Sequence, residues 1–196
     1  MRTNKFYEES GYEFARSTIS VDMNPIYDQF LPLLPTHASI LDVGCGSGRD
    51  TAYFRSQGYD VDAFDASKVM VDFARGFLNS AVTHCSFEEF DSFKHYQGIW
   101  ACASLLHLDS ARLAPTIQHL AGFLATNGFF YSSFKLGSQR RISQDGRMFL
   151  DLDQAGAVKL EKALPSLVMH KLWTTDDQRV SKASSKWLNI LWRKVG

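Results

Sequence analysis

Three glycines lie at alternate positions in the segment Gly44-Cys45-Gly46-Ser47-Gly48. Backbone amides can approach a ligand closely only where side chains are absent, and this spacing suits a turn between a strand and the N-terminus of a helix. We therefore predict that the segment holds a ligand. A dinucleotide fingerprint requires the pattern GxGxxG, whereas here the third glycine comes one position early and Arg49 stands in its place. The spacing disfavours nicotinamide and flavin dinucleotides.

The sequence on either side predicts the elements that hold this segment. The apolar run 39–43 ends at the glycines, as a buried parallel strand would, and a helical pattern runs from Arg49 to a stop at Gly58. Residues 59–64 alternate with the period of two that is typical of a strand, and Asp65 follows at its end. Two successive strand-helix units are therefore predicted, with the glycine segment at the first junction.

The same alternation continues along the chain. The further predicted elements are strands over 81–85, 98–106, 128–134, 167–174 and 186–195, and helices over 113–124 and 155–164. Alternating strands and helices imply a parallel sheet covered on both faces, and the last two strands would form a hairpin. We predict an α/β fold with a seven-stranded, mostly parallel sheet, helices on both faces and a C-terminal antiparallel hairpin. Segment 137–146 is expected to be a polar, basic loop.

Composition narrows the class of protein. A length of 196 residues with 45% hydrophobic residues suits one globular domain. The 21 basic residues balance 21 acidic ones, so no net positive field favours nucleic acid as a partner. Cys45, Cys85 and Cys102 have neither disulfide nor metal-ligand spacing, so no metal is expected. With no signal peptide or membrane span in the sequence, a soluble cytoplasmic protein is expected.

The segment Leu41-Asp42-Val43-Gly44-Cys45-Gly46-Ser47-Gly48 resembles the glycine-rich first motif of class I S-adenosylmethionine-dependent methyltransferases. The resemblance extends through Asp65, the turn at 125–128 and the terminal hairpin, and it covers residues 36–135 well. It implies a Rossmann-like fold. More narrowly, residues 44–50 and 58–65 resemble the tellurite-resistance branch of small methyltransferases. Ser86 and Gln97 depart from that pattern, because many relatives carry acidic residues there, and Ser86 leaves the adenine amine to backbone groups.

The resemblance implies S-adenosylmethionine as the cofactor and S-adenosylhomocysteine as the product. By that resemblance Asp65 would hold the ribose, since a carboxylate can accept both vicinal hydroxyls, and Ser86 and Phe87 would flank the adenine. The implied cofactor-binding residues are Asp42, Gly44, Cys45, Gly46, Gly48, Arg49, Asp65, Ala66, Ser67, Met70, Ser86, Phe87, Ala101, Cys102 and Ala103. The alternative is that the glycines form only a tight connection and that the cysteines fill space.

Methyl transfer from a sulfonium is an in-line displacement by a donor that is already activated, so placement can supply much of the rate. A neutral amine or hydroxyl acceptor would also need a base, for which His107 is the candidate; the alternative is a histidine that packs the loop. Candidates for contact with the acceptor are Tyr7, Tyr12, Lys135 and Arg147. The basic residues could bind an anionic small molecule, or they could belong to a solvated loop.

We expect residues 1–196 to form one methyltransferase domain. Within it, residues 1–35 would be an N-terminal helical lid, 36–135 the cofactor-binding core, and 136–196 the substrate-side loop, helix and closing hairpin. A small-molecule acceptor is favoured because the chain is barely larger than the core fold. Two alternatives stay open: a nucleic-acid (RNA) methyltransferase and a non-catalytic S-adenosylmethionine-binding protein. The sequence identifies neither the acceptor atom nor the oligomeric state.

Overall fold

The computed structural model describes residues 2–179 and 185–196. Its helices are α1 (Arg2–Thr18), α2 (Asn24–Phe30), α3 (Arg49–Ser56), α4 (Lys68–Leu78), α5 (Ser110–Gly122) and α6 (Gln154–Glu161), with short 3₁₀ turns at Leu31–Leu33 and Leu105–His107. Its strands are β1 (Ser39–Val43), β2 (Asp60–Asp65), β3 (Thr83–His84), β4 (Tyr96–Ala101), β5 (Leu124–Lys135), β6 (Arg140–Ile142), β7 (Met148–Leu150), β8 (Leu167–Asp176) and β9 (Lys186–Lys194).

Seven of these strands form one sheet in the order β3-β2-β1-β4-β5-β9-β8. The pairs from β3 to β5 are parallel, whereas β9 runs antiparallel to both β5 and β8. The predicted Rossmann-like α/β fold with a C-terminal antiparallel hairpin is confirmed. The strand order reverses at β1, which lies between β2 and β4, and open α/β sheets bind ligands beyond the carboxyl ends of the strands at such a point.

The central strands carry apolar residues on both faces because both faces are covered. On β1, Ile40 belongs to the cluster under α2 and α3, with Phe30 and Phe54, whereas its neighbour Leu41 belongs to the larger cluster that includes Ile117 of α5. All five of these residues are 0% exposed. The continuous apolar run in the sequence therefore corresponds to a strand buried between two layers of helices, as predicted.

The fourth strand is shorter than predicted. The sequence indicated a strand over 98–106, but β4 ends at Ala101, and Ala103 has a positive φ of 53° that no strand residue adopts. The Ala103 N–H donates to Ser133 Oγ at 2.9 Å instead of to a strand partner. Leu105 and Leu106 lie in the 3₁₀ turn that follows, and both side chains are buried. His107 thus ends a turn and is not at the end of a strand.

The segment predicted as a polar loop contains part of a small hairpin. Strands β6 and β7 pair antiparallel, with Arg140 opposite Leu150 and Ile142 opposite Met148. The turn between them is closed by the Ser143 N–H, which donates to the Arg147 carbonyl at 2.9 Å. Strands of three residues are too short for periodicity to reveal them. None of the described helices is both long and apolar enough to cross a membrane.

Candidate functional site

A cavity of about 750 Å³ opens at the carboxyl ends of β1, β2, β4 and β5, and α1, the β6–β7 hairpin and the ends of β8 and β9 complete its walls. Most of the residues singled out from the sequence line it. Those at the cavity are Tyr7, Gly44, Cys45, Gly46, Arg49, Asp65, Ala66, Ser67, Met70, Phe87, Cys102, Ala103, His107, Lys135 and Arg147. Those outside its lining are Tyr12, Asp42, Gly48, Ser86 and Ala101.

The glycine loop connects β1 to α3 and forms one wall of the cavity. Gly44, Gly46 and Gly48 have φ values of +72°, +56° and +79°, which side chains disfavour. A Cβ on Gly44 would come within 2.6 Å of the Ser104 Cβ. Ser104 Oγ is itself buried and has no hydrogen-bond partner among the described residues, although Ser104 lines the cavity. The loop is therefore a cradle beside an unsatisfied hydroxyl.

Asp65, the last residue of β2, joins two loops. Its Oδ2 accepts the Gly46 N–H and its Oδ1 accepts the Ser67 N–H, both at 2.9 Å. Burial raises the pKa of Asp65, while these backbone hydrogen bonds act in the opposite direction. Each carboxylate oxygen can accept a further hydrogen bond, so Asp65 can both hold the glycine loop and bind a ligand hydroxyl.

The predicted residues outside the cavity lining have other partners. Asp42 is buried and accepts the Thr51 hydroxyl at 2.6 Å; burial and the nearby Asp50 raise its pKa. Ser86 bonds through both its N–H and its hydroxyl to Glu89. Ala101 is fully buried within β4, and Gly48 precedes α3 in a left-handed conformation. Asp42 thus bonds to α3 behind the glycine loop, and Gly48 ends the loop at the start of that helix.

The sequence analysis did not single out Asp50, which is the most heavily bonded carboxylate beneath the site. It accepts hydrogen bonds from Arg49 Nε at 2.6 Å, the Tyr27 hydroxyl at 2.5 Å and Trp100 Nε1 at 2.8 Å. Burial raises its pKa, but the charge and hydrogen bonds of Arg49 outweigh burial and lower it. Arg49 Nη1 also donates to the Thr18 carbonyl at 3.3 Å, which ties α3 to the end of α1. In the sequence, the position of Asp50 directly after Arg49 was the feature that could have identified it as a partner of that cation.

His107 and Tyr7 meet at the opposite wall. His107 Nδ1 lies 2.7 Å from the Met148 carbonyl oxygen, which can only accept, so Nδ1 carries the proton. Nε2 is then the acceptor, and the Tyr7 hydroxyl donates to it at 3.1 Å. Burial lowers the pKa of His107 to about 4, so the ring is neutral at pH 7. The Thr3 hydroxyl accepts the Met148 N–H at 3.0 Å and fixes α1 to β7.

The basic residues predicted to contact an acceptor are already paired. Lys135 Nζ lies 2.7 Å from Asp177 Oδ2 and 3.9 Å from the centre of the Trp187 ring. Arg147 Nη2 lies 2.6 Å from Asp145 Oδ2. The sequence analysis assigned no role to Asp177 or Asp145. Lys135 and Asp177 are 42 positions apart, so no local pattern reveals their pairing, whereas Asp145 and Arg147 are two positions apart in the hairpin turn.

Tyr12 is placed away from the cavity. It is 58% exposed, and its ring packs edge-on against Phe73 of α4 at 5.2 Å. Tyr7 and Tyr12 are five positions apart on α1, which places them about 140° apart around the helix axis. The two side chains therefore cannot face the same cavity.

Comparison with known proteins supports a methyltransferase. A family model described as a methyltransferase domain matches residues 40–128. A segment of 50 residues is 40% identical to malonyl-[acyl-carrier protein] O-methyltransferase from Pectobacterium atrosepticum, and it represents 24% of this chain and 20% of that enzyme. The chain therefore matches only a fifth of the length of that relative.

Solved structures with the same fold span nearly the whole chain. The 1,6-didemethyltoxoflavin-N1-methyltransferase of Burkholderia thailandensis, solved with 1,6-didemethyltoxoflavin and S-adenosylhomocysteine, superposes with a TM-score of 0.81 at 20% identity, over 100% of this chain and 88% of that one. The magnesium protoporphyrin IX methyltransferase of Synechocystis, solved with S-adenosylmethionine, gives 0.72 at 14% identity, over 97% and 94%.

The fold is that of class I methyltransferases. The match of residues 40–128 to a methyltransferase-domain model agrees with this fold. The narrower resemblance to the tellurite-resistance branch stays a prediction.

Proposed function

We propose that this chain transfers a methyl group from S-adenosylmethionine to a small-molecule acceptor. The observation that carries the proposal is the bond between Asp65 and Gly46, which unites the end of β2 with the glycine loop at the point where the strand order reverses. The methyltransferase-domain match covers both residues. A carboxylate and a set of exposed backbone amides at this place suit a ribose with a charged amino-acid tail.

The residues present fit the cofactor. Gly44 leaves space that a side chain would fill, and the partnerless Ser104 hydroxyl beside it needs a hydrogen-bonding group from a ligand. We assign the ribose to Asp65 and the methionine end to the surroundings of Gly44 and Arg49. The remaining proposed contacts are Cys45, Gly46, Ala66, Ser67, Met70, Phe87, Cys102 and Ala103, all of which line the cavity.

The bound cofactor supplies an activated methyl group on a sulfonium, so the protein has to place the acceptor in line with it and exclude water. We propose that α1 serves as a lid for this purpose, since Tyr7 and Phe14 line the cavity and Thr3 and Thr18 fix both ends of the helix. His107, neutral and with Nε2 accepting the Tyr7 hydroxyl, would take the proton through that hydroxyl: Tyr7 passes its own proton to Nε2 and receives the proton that the methylated substrate loses.

A small molecule is favoured over a nucleic acid. The cavity of about 750 Å³ lies within the range of small-molecule and cofactor sites. The basic residues that a nucleic-acid methyltransferase would present as a stripe are paired: Lys135 with Asp177, Arg147 with Asp145, and Arg140 and Arg141 with Asp109 and Asp151. The structural neighbour from Burkholderia thailandensis, solved with 1,6-didemethyltoxoflavin, also acts on a small molecule.

Calorimetry with S-adenosylmethionine and S-adenosylhomocysteine tests the proposal. The wild type should bind both ligands, and Asp65→Ala should lose about a hundredfold in affinity, as expected for two charge-assisted hydrogen bonds. Asp72→Ala is the matched control, because Asp72 is an exposed carboxylate on α4 that pairs only with lysine and arginine nearby. A wild type that binds neither ligand would contradict the proposal.

Turnover separates an enzyme from a non-catalytic binding protein. The wild type should form S-adenosylhomocysteine when it is supplied with the right acceptor in a small-molecule screen. Affinity for RNA at low salt that falls steeply as salt is added would favour the nucleic-acid alternative.

A further inference from the structure

We propose that the acceptor is an uncharged, flat molecule with a weakly acidic N–H or O–H, and that Asp177 and Asp145 select for it by neutralising the cations of the acceptor pocket. This inference rests on the proposed function and specifies the substrate class of the same site. Of the two alternatives that the sequence left open for these basic residues, it sets aside the binding of an anionic small molecule.

Asp177 forms ion pairs with two cations at once, and together with the neighbouring Asp176 it balances their two charges. Its side chain is only 3% exposed, and its Oδ2 accepts from Lys135 Nζ and from Arg179 Nη2, each at 2.7 Å. Its Oδ1 accepts the Arg179 Nε at 2.9 Å. Burial raises the pKa of Asp177, but the hydrogen bonds from Arg179 and Lys135 lower it overall, so the carboxylate is charged at neutral pH. An incoming anion would have to compete with a carboxylate already seated between both cations.

Asp145 does the same for Arg147 on the opposite wall. Its Oδ2 accepts from Arg147 Nε at 3.1 Å and from Nη2 at 2.6 Å, in a two-bond pair. The guanidinium lies 4.3 Å from the centre of the Phe6 ring and 5.1 Å from that of Phe14. The Arg147 side chain thus packs against aromatic rings of α1, and Asp145 of the same hairpin balances its charge.

The charges around the whole cavity balance among the residues that the structure describes. The lysine and arginine residues in its lining are Arg49, Lys135, Arg141, Arg147 and Arg179, and the carboxylates are Asp50, Asp65, Asp145, Asp176 and Asp177. Arg141 pairs in addition with Asp151 behind the wall. His107 is neutral, since burial lowers its pKa to about 4. These groups leave no net charge that would attract an ionised acceptor.

The uncharged part of the lining indicates what kind of molecule fits. Aromatic rings contribute to the wall, and a flat ring packs well against such surfaces; they belong to Tyr7, Phe14, Tyr131, Phe149 and Trp187. The hydroxyls of Ser133 and Thr175 also line the wall, and the Thr175 hydroxyl, which accepts from the Asn189 amide at 3.0 Å, keeps its own proton to donate to a ligand. A neutral heterocycle with ring N–H and carbonyl groups matches both features.

The proton balance also fits a neutral acceptor. The bond from the acceptor nitrogen or oxygen to the methyl carbon forms as the bond from that carbon to sulfur breaks, and the sulfur leaves as a neutral thioether. The positive charge passes to the methylated acceptor, whose N–H or O–H becomes strongly acidic. A weakly basic, neutral imidazole such as that of His107 is then sufficient: Nε2 accepts the proton of the Tyr7 hydroxyl, and the Tyr7 oxygen takes up the proton of the methylated acceptor in its place.

The test compares matched neutral and anionic probes. Quinoxalin-2-one and quinazolin-4-one, each beside its ring carboxylate, are titrated in the presence of S-adenosylhomocysteine, and binding is followed by calorimetry and ligand-observed NMR. The wild type should bind each neutral compound at least about tenfold more tightly than its carboxylate. Equal or tighter binding of the carboxylates would overturn the inference.

Variants test which carboxylates set the preference for a neutral compound over its carboxylate. Asp177→Asn should shift the preference about tenfold towards the carboxylates, because it frees Lys135 and Arg179. Asp72→Asn removes the same charge from an exposed side chain of α4 outside the cavity lining and should keep the wild-type preference. Asp145→Asn, which frees Arg147, provides a second and independent test if Asp177→Asn does not fold. An unchanged preference in a folded Asp177→Asn or Asp145→Asn variant would overturn the role assigned to these carboxylates.

Failure of the inference and failure of the proposed function are distinguishable. A wild type that binds S-adenosylhomocysteine but none of the neutral probes would overturn the acceptor class and leave the cofactor assignment intact. A wild type that does not bind S-adenosylhomocysteine would overturn the proposed function itself.

Discussion

The Tyr7 hydroxyl donates to Nε2 of His107 at 3.1 Å, across a separation of 100 residues. His107 can accept this bond because the Met148 carbonyl holds the ring proton on Nδ1. The bond therefore joins three parts of the chain at the cavity wall: α1, the 3₁₀ turn after β4, and β7. It both orients the ring and holds the N-terminal helix over the cavity.

Replacing Tyr7 by Phe tests the contribution of this hydrogen bond. We expect the free energy of unfolding to fall by about 1 kcal/mol, the usual net value of one hydrogen bond, and the amides of α1 to exchange faster with solvent. Denaturant unfolding and hydrogen exchange measure the two effects. Tyr12→Phe is the control, because Tyr12 is exposed on the other side of the same helix. Equal effects of the two substitutions would argue against a specific role for Tyr7.

Stability should depend on pH through His107. Burial lowers its folded pKa to about 4, with smaller effects from Met148, Arg147 and Asp145, against an ordinary value of 6.5. The unfolded chain therefore binds a proton that the folded chain does not in the window between these values. This contribution is complete above pH 6.5 and is lost as the pH falls towards 4; it amounts to about 2 kcal/mol between pH 7 and 5.

The measurement is denaturant unfolding of the wild type and His107→Gln at a series of pH values. The variant should lose less stability than the wild type between pH 7 and 5, whereas His170→Gln should follow the wild type. Parallel curves for the wild type and His107→Gln would show that this ring is not buried in its neutral form.

Two glycine substitutions should have opposite effects. Gly44→Ala places a Cβ 2.6 Å from the Ser104 Cβ at a φ of +72°, so we expect the glycine loop to shift and cofactor affinity to fall by about tenfold or more. Gly76→Ala, in α4, meets nothing within 4 Å and should stabilise the protein by about 0.5 to 1 kcal/mol. Calorimetry and thermal unfolding distinguish the two, and wild-type affinity in Gly44→Ala would contradict a close approach of ligand to this loop.

Removing the carboxylate of the buried Arg49–Asp50 ion pair should lower the free energy of unfolding strongly. Asp50→Asn leaves the Arg49 guanidinium without its counter-charge, and we expect a loss of about 3 to 5 kcal/mol in the free energy of unfolding. Tyr27→Phe removes only the hydroxyl that donates to Asp50 at 2.5 Å and should cost about 1 to 2 kcal/mol from that bond. Urea unfolding measures both. A smaller loss for Asp50→Asn than for Tyr27→Phe would count against the ion pair as the dominant interaction.

The sequence by itself determined the features that depend on neighbouring residues. The run 39–43 and the alternation over 59–64 indicated β1 and β2, because the period of side chains along a strand is local. The glycine spacing indicated the loop, because a positive φ at a glycine is a property of single residues. Since every parallel strand ends at the same edge of the sheet, Asp65 could be placed beside the loop without a structure.

Only the tertiary structure decided which side chains meet across the cavity. The pairing of Lys135 with Asp177 depends on the antiparallel register of β5 and β9, and the contact between Tyr7 and His107 depends on how α1 packs across the sheet edge. Such contacts join residues far apart in sequence, so no local period encodes them. In the sequence these basic residues suggest a site for an anion, but in the fold each is paired with a carboxylate. A buried cation without such a partner would destabilise the folded state more than the ion pair does.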